Sequence, residues 1–90
     1  MPELLQLLHY DYVDNILERR QPHREGHLAL IARFHAEGRM LAGGAVGDPV
    51  RGGLFTFRNA ADAEAFMAED PYVAAGLLVH SRIEPWNVVT

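Results

Sequence analysis

The chain has 90 residues and no cysteine, with 8 Lys+Arg against 12 Asp+Glu for a formal net charge of −4. A chain this short buries about 60–65% of its unfolded surface and supports one core, so residues 1–90 are expected to form a single domain. The acidic balance, with Arg19, Arg20 and Arg24 as the only local basic group, argues against nucleic acid, and the missing cysteines exclude a disulfide framework, a thiol nucleophile and a thiolate metal site.

The opening MPELLQLLHY lacks the basic and long apolar regions of a signal peptide. No stretch approaches the ~18 apolar residues of a membrane span. No membrane partner is therefore expected, and the cytoplasm is the default compartment. At 49% apolar residues, a small sheet-containing domain often completes its core against a second copy of itself, and a homodimer is expected.

Leu4–Val13 reads as a strand buried on both sides. Leu5, Leu7, His9 and Asp11 share one face, while Leu4, Leu8, Tyr10 and Tyr12 are expected to divide unevenly between the two. Asp14–Gln21 is polar and reads as a connection with room for a helical turn. The stretch Pro22–Gly38 then predicts an amphipathic helix, with Pro22 in its first turn and Gly38 as a left-handed stop.

Arg39–Val46 predicts a second strand, in which Gly43 and Gly44 mark a bulge or a close approach and are expected to line a pocket. Turn formers fill Gly47–Gly53, and Leu54–Arg58 alternates as a third strand. Asn59 caps a helix over Ala60–Glu69. Asp70–Gly76 breaks and restarts that helix, because Pro71 disfavours the α region at Asp70 and Gly76 stops it again. Leu77–Val89 is the last strand, with Trp86 read as a packing or dimer contact.

The order strand, helix, strand, strand, helix, strand is the split βαβ pattern of an α+β, ferredoxin-like fold: a four-stranded antiparallel sheet with two helices on one face. The uncovered face has apolar residues to bury. A second subunit stacking sheet on sheet is the simplest cover.

At about 100° per residue, His27 falls in the middle of an arc formed by Leu28, Leu30, Ile31 and Phe34, with Arg24 a turn before it. A ring aimed at a core needs a partner or stays neutral. The same projection of the second helix places Asp70 on its apolar side, at the helix C-terminus. Should the two face each other, the carboxylate fixes the ring tautomer and leaves the second nitrogen to move a proton on a substrate, with Arg24 or the backbone near Gly43 and Gly44 holding an anionic oxygen. The plainer alternatives are Asp70 as N-cap of the turn Pro71–Gly76 and His27 as a satisfied core residue. The two readings of Asp70 are compatible. His23 and His27 have the i, i+4 spacing of metal ligands but no H-E-x-x-H motif, so no metal is expected.

Arg24-Glu25-Gly26-His27-Leu28, Gly38-Arg39-Met40-Leu41-Ala42-Gly43-Gly44, Asp70-Pro71-Tyr72-Val73-Ala74-Ala75-Gly76-Leu77 and Ile83-Glu84-Pro85-Trp86 together resemble the YCII family, over nearly the whole chain. That resemblance implies a dimeric α/β barrel of ferredoxin-like subunits and an active site centred on His27 and Asp70, with Arg24 matching the family's arginine. It also implies a cofactor-free reaction on a small molecule: elimination or isomerisation of an aromatic or lactone-like compound. Alternatives are a non-catalytic ligand-binding module and a purely structural dimer. Gly44-Ala45 replaces the Gly-Pro of many members, and the Gly47–Gly53 hairpin is short. Both bear on the shape of the pocket.

Overall fold

The computed structural model describes residues 3–90. Its elements run β1 (Glu3–Tyr12), α1 (Ile16–Arg19), α2 (Gln21–Ala36), β2 (Met40–Val46), β3 (Gly52–Phe57), α3 (Ala60–Glu69), α4 (Pro71–Ala74) and β4 (Leu78–Val88). The four strands form one antiparallel sheet in the order β2-β3-β1-β4. This is the ferredoxin-like arrangement, with β3 returning between β1 and β2. The helical turn expected in the first connection is α1.

Local signals set most boundaries. Pro22 occupies the first turn of α2, and Gly38 and Gly76 follow their helices at φ 74° and 72°, the left-handed region that favours glycine. The Asn59 side chain accepts from the Asp62 amide at the start of α3. β3 begins at Gly52 rather than Leu54, because Gly52 and Gly53 still pair with Asp11 and Tyr10. A Cβ at Gly52 would collide with the Tyr10 carbonyl, so only glycine lets the backbones approach there.

Alternation in β1 is stricter than expected. Leu8, Tyr10 and Tyr12 all turn to the helix-covered face, where Leu8 and Tyr10 join Phe55, Phe57 and Met40 of the sheet and Leu30, Phe34, Ala63 and Phe66 of the helices in one core. Phe66 packs on Phe34, Phe55 and Phe57 at ring separations of 5.1–5.7 Å, within the range of favourable aromatic pairing. The opposite face presents Leu5, Leu7 and His9 beside Trp86, Glu84 and Arg82 of β4, and Thr56 and Leu54 of β3. No helix among the described residues is long and apolar enough to cross a membrane.

Gly43 and Gly44 have separate roles. A Cβ on Gly43 would lie 2.7 Å from a Phe55 ring carbon and 2.8 Å from the Met40 sulfur, whereas one on Gly44 would meet nothing within 4 Å. Gly43 thus permits core packing and also lines a groove with Leu28 and Ile31 of α2. Gly43→Ala is expected to destabilise by about 1–3 kcal/mol through overpacking, and Gly44→Ala to stay within about 0.5 kcal/mol of the parent. Urea denaturation of the two variants checks the contrast.

Candidate active site

Three elements bring their polar groups to one point. α3 ends and α4 begins at Asp70, an extended residue (φ −73°, ψ 118°) that caps both helices. Pro71 enforces that conformation. Asp70 is 1% exposed and His27 5%, so the expected burial of both is observed, and the Nδ1 atom of His27 lies 2.9 Å from Asp70 Oδ1. The same oxygen accepts from the Tyr72 amide at 3.0 Å, and Oδ2 accepts from the Tyr10 hydroxyl at 2.7 Å. The capping role and the histidine contact therefore coexist.

This arrangement determines the tautomer. An ionised carboxylate only accepts, so Nδ1 must carry a proton to bond it. That leaves Nε2 as the ring's lone-pair nitrogen, and His27 borders a cleft of about 70 Å³ shared with Tyr12, Arg20, Arg24 and Tyr72. Orientation is further fixed by packing. The imidazole stacks on the Tyr72 ring at 3.8 Å with 4° between planes, and meets Phe55 and Phe66 edge-on. A protonated ring would gain cation–π attraction from Tyr72 in that position.

The tyrosines are held neutral. Burial, then the Asp70 charge and hydrogen bond, push the Tyr10 phenol far above its ordinary range. Tyr12 is raised by burial and then by Asp70, with Arg20 and Arg24 opposing. Burial also raises Tyr72, against the pull of the same two guanidiniums. Arg20 Nε is buried with no hydrogen-bond partner among the described residues, and the Tyr72 hydroxyl, beside the Arg24 guanidinium, has no acceptor for its proton there. Such groups are costly to leave unpaired, so the cleft is short of an acceptor.

Gly26 sets the distance between the helices. A Cβ there would sit 3.3 Å from the Pro71 ring, so α2 approaches α4 closely one residue before His27. Leu28 departs from the expected buried arc at 45% exposure, at the edge of the cleft. Arg24 borders the cleft as expected, and Gly44 and Ala45 form part of its far wall. Tyr10, Tyr12, Arg20 and Tyr72 were not singled out by the sequence patterns. For Tyr10 the available signal was its parity with Leu8.

Residues 4–87 match the model of the YCII-related domain. The chain belongs to that family. It is 34% identical over 84 residues to Protein YciI of Escherichia coli O6:H1, covering 81% of this chain and 86% of the relative. It is also 34% identical over 88 residues to an uncharacterised protein of Haemophilus influenzae, covering 86% and 90%.

Among solved structures, 5-chloro-2-hydroxyhydroquinone dehydrochlorinase from Burkholderia phenoliruptrix, in complex with 2,5-dihydroxybenzoquinone, is similar at TM-score 0.74 and 22% identity over 91% of this chain and 92% of that one. A dimeric ferredoxin-like protein from an uncultured marine organism is similar at TM-score 0.53 and 12% identity, covering 100% and 90%. At those identities the likeness shows the YCII domain's fold.

Tyr10→Phe removes a donor from a buried carboxylate and is expected to destabilise by about 1–3 kcal/mol in chemical denaturation. The raised phenols also give a sign for alkaline pH. The unfolded chain loses tyrosine protons near the ordinary value of 10.0 while folded Tyr10 and Tyr12 keep theirs, so the unfolded state binds fewer protons and stability falls as pH rises above 10. Tyrosinate absorbance followed alongside circular dichroism should appear with unfolding rather than before it.

Proposed function

We propose that the protein is a small-molecule enzyme of the proton-transfer type, with His27 as general base and Asp70 as the group that orients it and balances its charge. The observation that carries this reading is the pairing of Asp70 with Nδ1, which leaves Nε2 at a cleft containing two arginines. In an elimination, Nε2 takes a proton from a substrate O–H or C–H. The electron pair left behind becomes a new π bond, and a leaving group departs with its own bonding pair. In an isomerisation, the imidazolium returns the proton at a second carbon. Arg24 holds the anionic oxygen that either step develops. Neither step calls for a redox group.

The dehydrochlorinase named above supplies the first compound to try, 5-chloro-2-hydroxyhydroquinone. A panel of lactones with exchangeable α-protons completes the set. Chloride release and proton–deuterium exchange by NMR are the readouts. His27→Ala and Asp70→Asn should each lower the rate by about 10²–10⁴-fold, the usual contribution of a positioned base, with the circular dichroism spectrum of the parent. Undiminished turnover in His27→Ala would overturn the assignment.

A homodimer through the open sheet face is part of the same reading. Leu7 and Leu54, half-buried, form an apolar centre there over the buried Leu5, beside a Trp86 that is 45% exposed. The pairs His9–Glu84, Arg82–Glu84 and His80–Asp11 lie on the same face. An apolar centre within a polar rim is the anatomy of an interface. Sedimentation equilibrium is expected to give twice the chain mass, and Trp86→Glu to shift it towards the monomer. A monomeric parent at high concentration would contradict the assignment.

A further inference from the structure

The polar cleft is too small to enclose a substrate. It holds about 70 Å³, about half of the roughly 150 Å³ of a dry cavity that takes up benzene. The cleft does not end at its own walls. Leu28 and Ile31 also line a second groove of about 350 Å³ between α2 and the edge strand β2, completed by Ala32 and by Met40, Leu41, Ala42 and Gly43 of β2. Its one polar lining side chain, His35, already has its Nδ1 on the Met40 carbonyl oxygen. The exposed Leu28 stands at the junction, next to His27.

The two compartments ask for opposite chemistry. In the cleft, the Tyr72 hydroxyl, 1% exposed and with no acceptor for its proton, and the unpartnered Arg20 Nε lie beside Arg24. Two guanidiniums with a spare hydroxyl suit an oxyanion. In the groove, aliphatic walls favour a group that sheds water.

We infer that the site takes an amphiphilic anion. A carboxylate or similar oxyanion sits between Arg20, Arg24 and Tyr72, the reacting atoms lie at Nε2 of His27, and an aryl or alkyl body passes Leu28 and Ile31 into the groove between α2 and β2. This rests on the placement of the chemistry at His27 and adds the class of molecule that reaches it. Leu28 and Ala32 become specificity residues, since they border the path of the apolar body.

Isothermal titration of the intact protein with benzoate, 4-ethylbenzoate and 4-butylbenzoate tests the inference without requiring turnover. Each methylene that enters the groove should tighten binding by up to about fourfold. Neutral 4-butylbenzamide should bind at least tenfold more weakly than the matching acid. Ala32→Trp, at an exposed helix position, should abolish the chain-length gain, with Leu28→Asn as a second groove variant. Arg20→Met should weaken all three acids by the same factor. Equal Kd values along the series, a gain that survives both groove variants, or no binding of any acid would each overturn the inference.

The outcome is separable from that of the proton-transfer assignment. A rising series that persists in His27→Gln supports the binding mode even where His27 proves not to be the base. A flat series alongside His27-dependent turnover removes the groove and leaves the base in place.

Discussion

A single buried carboxylate joins three parts of this fold. Asp70 accepts from the Tyr10 hydroxyl on β1, from Nδ1 of His27 on α2, and from the backbone of Tyr72 at the start of α4. An ionised group almost wholly out of water is tolerated only when its lone pairs are satisfied. Each donor therefore depends on the other two, and the hinge between α3 and α4, the middle of α2 and the central strand are tied together at one residue. The network supports the fold and fixes the chemistry of the imidazole at the same time.

Short-range features make that convergence possible. Pro71 keeps Asp70 extended, so its side chain can cap α4 and still reach across to α2. Gly26 lets the Pro71 ring close in where any other residue would crowd it. Stacking on Tyr72 and edge contacts with Phe55 and Phe66 restrict the ring of His27 to one orientation. With Nδ1 committed inward, the nitrogen left at the cleft is the one able to accept a proton. Around it, burial keeps the phenols neutral and the arginines supply positive charge. A developing anion would be stabilised in that setting more strongly than in water.

The element order, the helix stops at Gly38 and Gly76 and the cap at Asn59 were all readable from the sequence, because each depends on neighbours within four residues. His27 and Asp70 could be picked out because both break an apolar helical face, an anomaly visible one helix at a time. Tyr10, Tyr12 and Tyr72 could not. A tyrosine on an apolar strand face or after a proline looks like ordinary core, and its hydroxyl gains meaning only when residues 60 positions apart in sequence, such as Tyr10 and Asp70, meet. Gly43 was legible only in part. The glycine pair pointed to a pocket wall, and both do line hollows, but Gly43 also makes room for Phe55 and Met40, a tertiary contact with no local trace. Leu28 belonged to the apolar arc by angle and yet lies open, because the arc is wider than the surface the sheet can cover.

The most direct measurement is the protonation pattern of the His27 ring, read from its two nitrogen chemical shifts by long-range proton–nitrogen correlation across a pH titration. The neutral ring is expected to carry its proton on Nδ1, hydrogen-bonded to Asp70, with an unprotonated Nε2, and to lose that preference in Asp70→Asn. A neutral ring protonated on Nε2, or one exchanging freely between tautomers, would contradict the claim that the buried carboxylate prepares this histidine as a base.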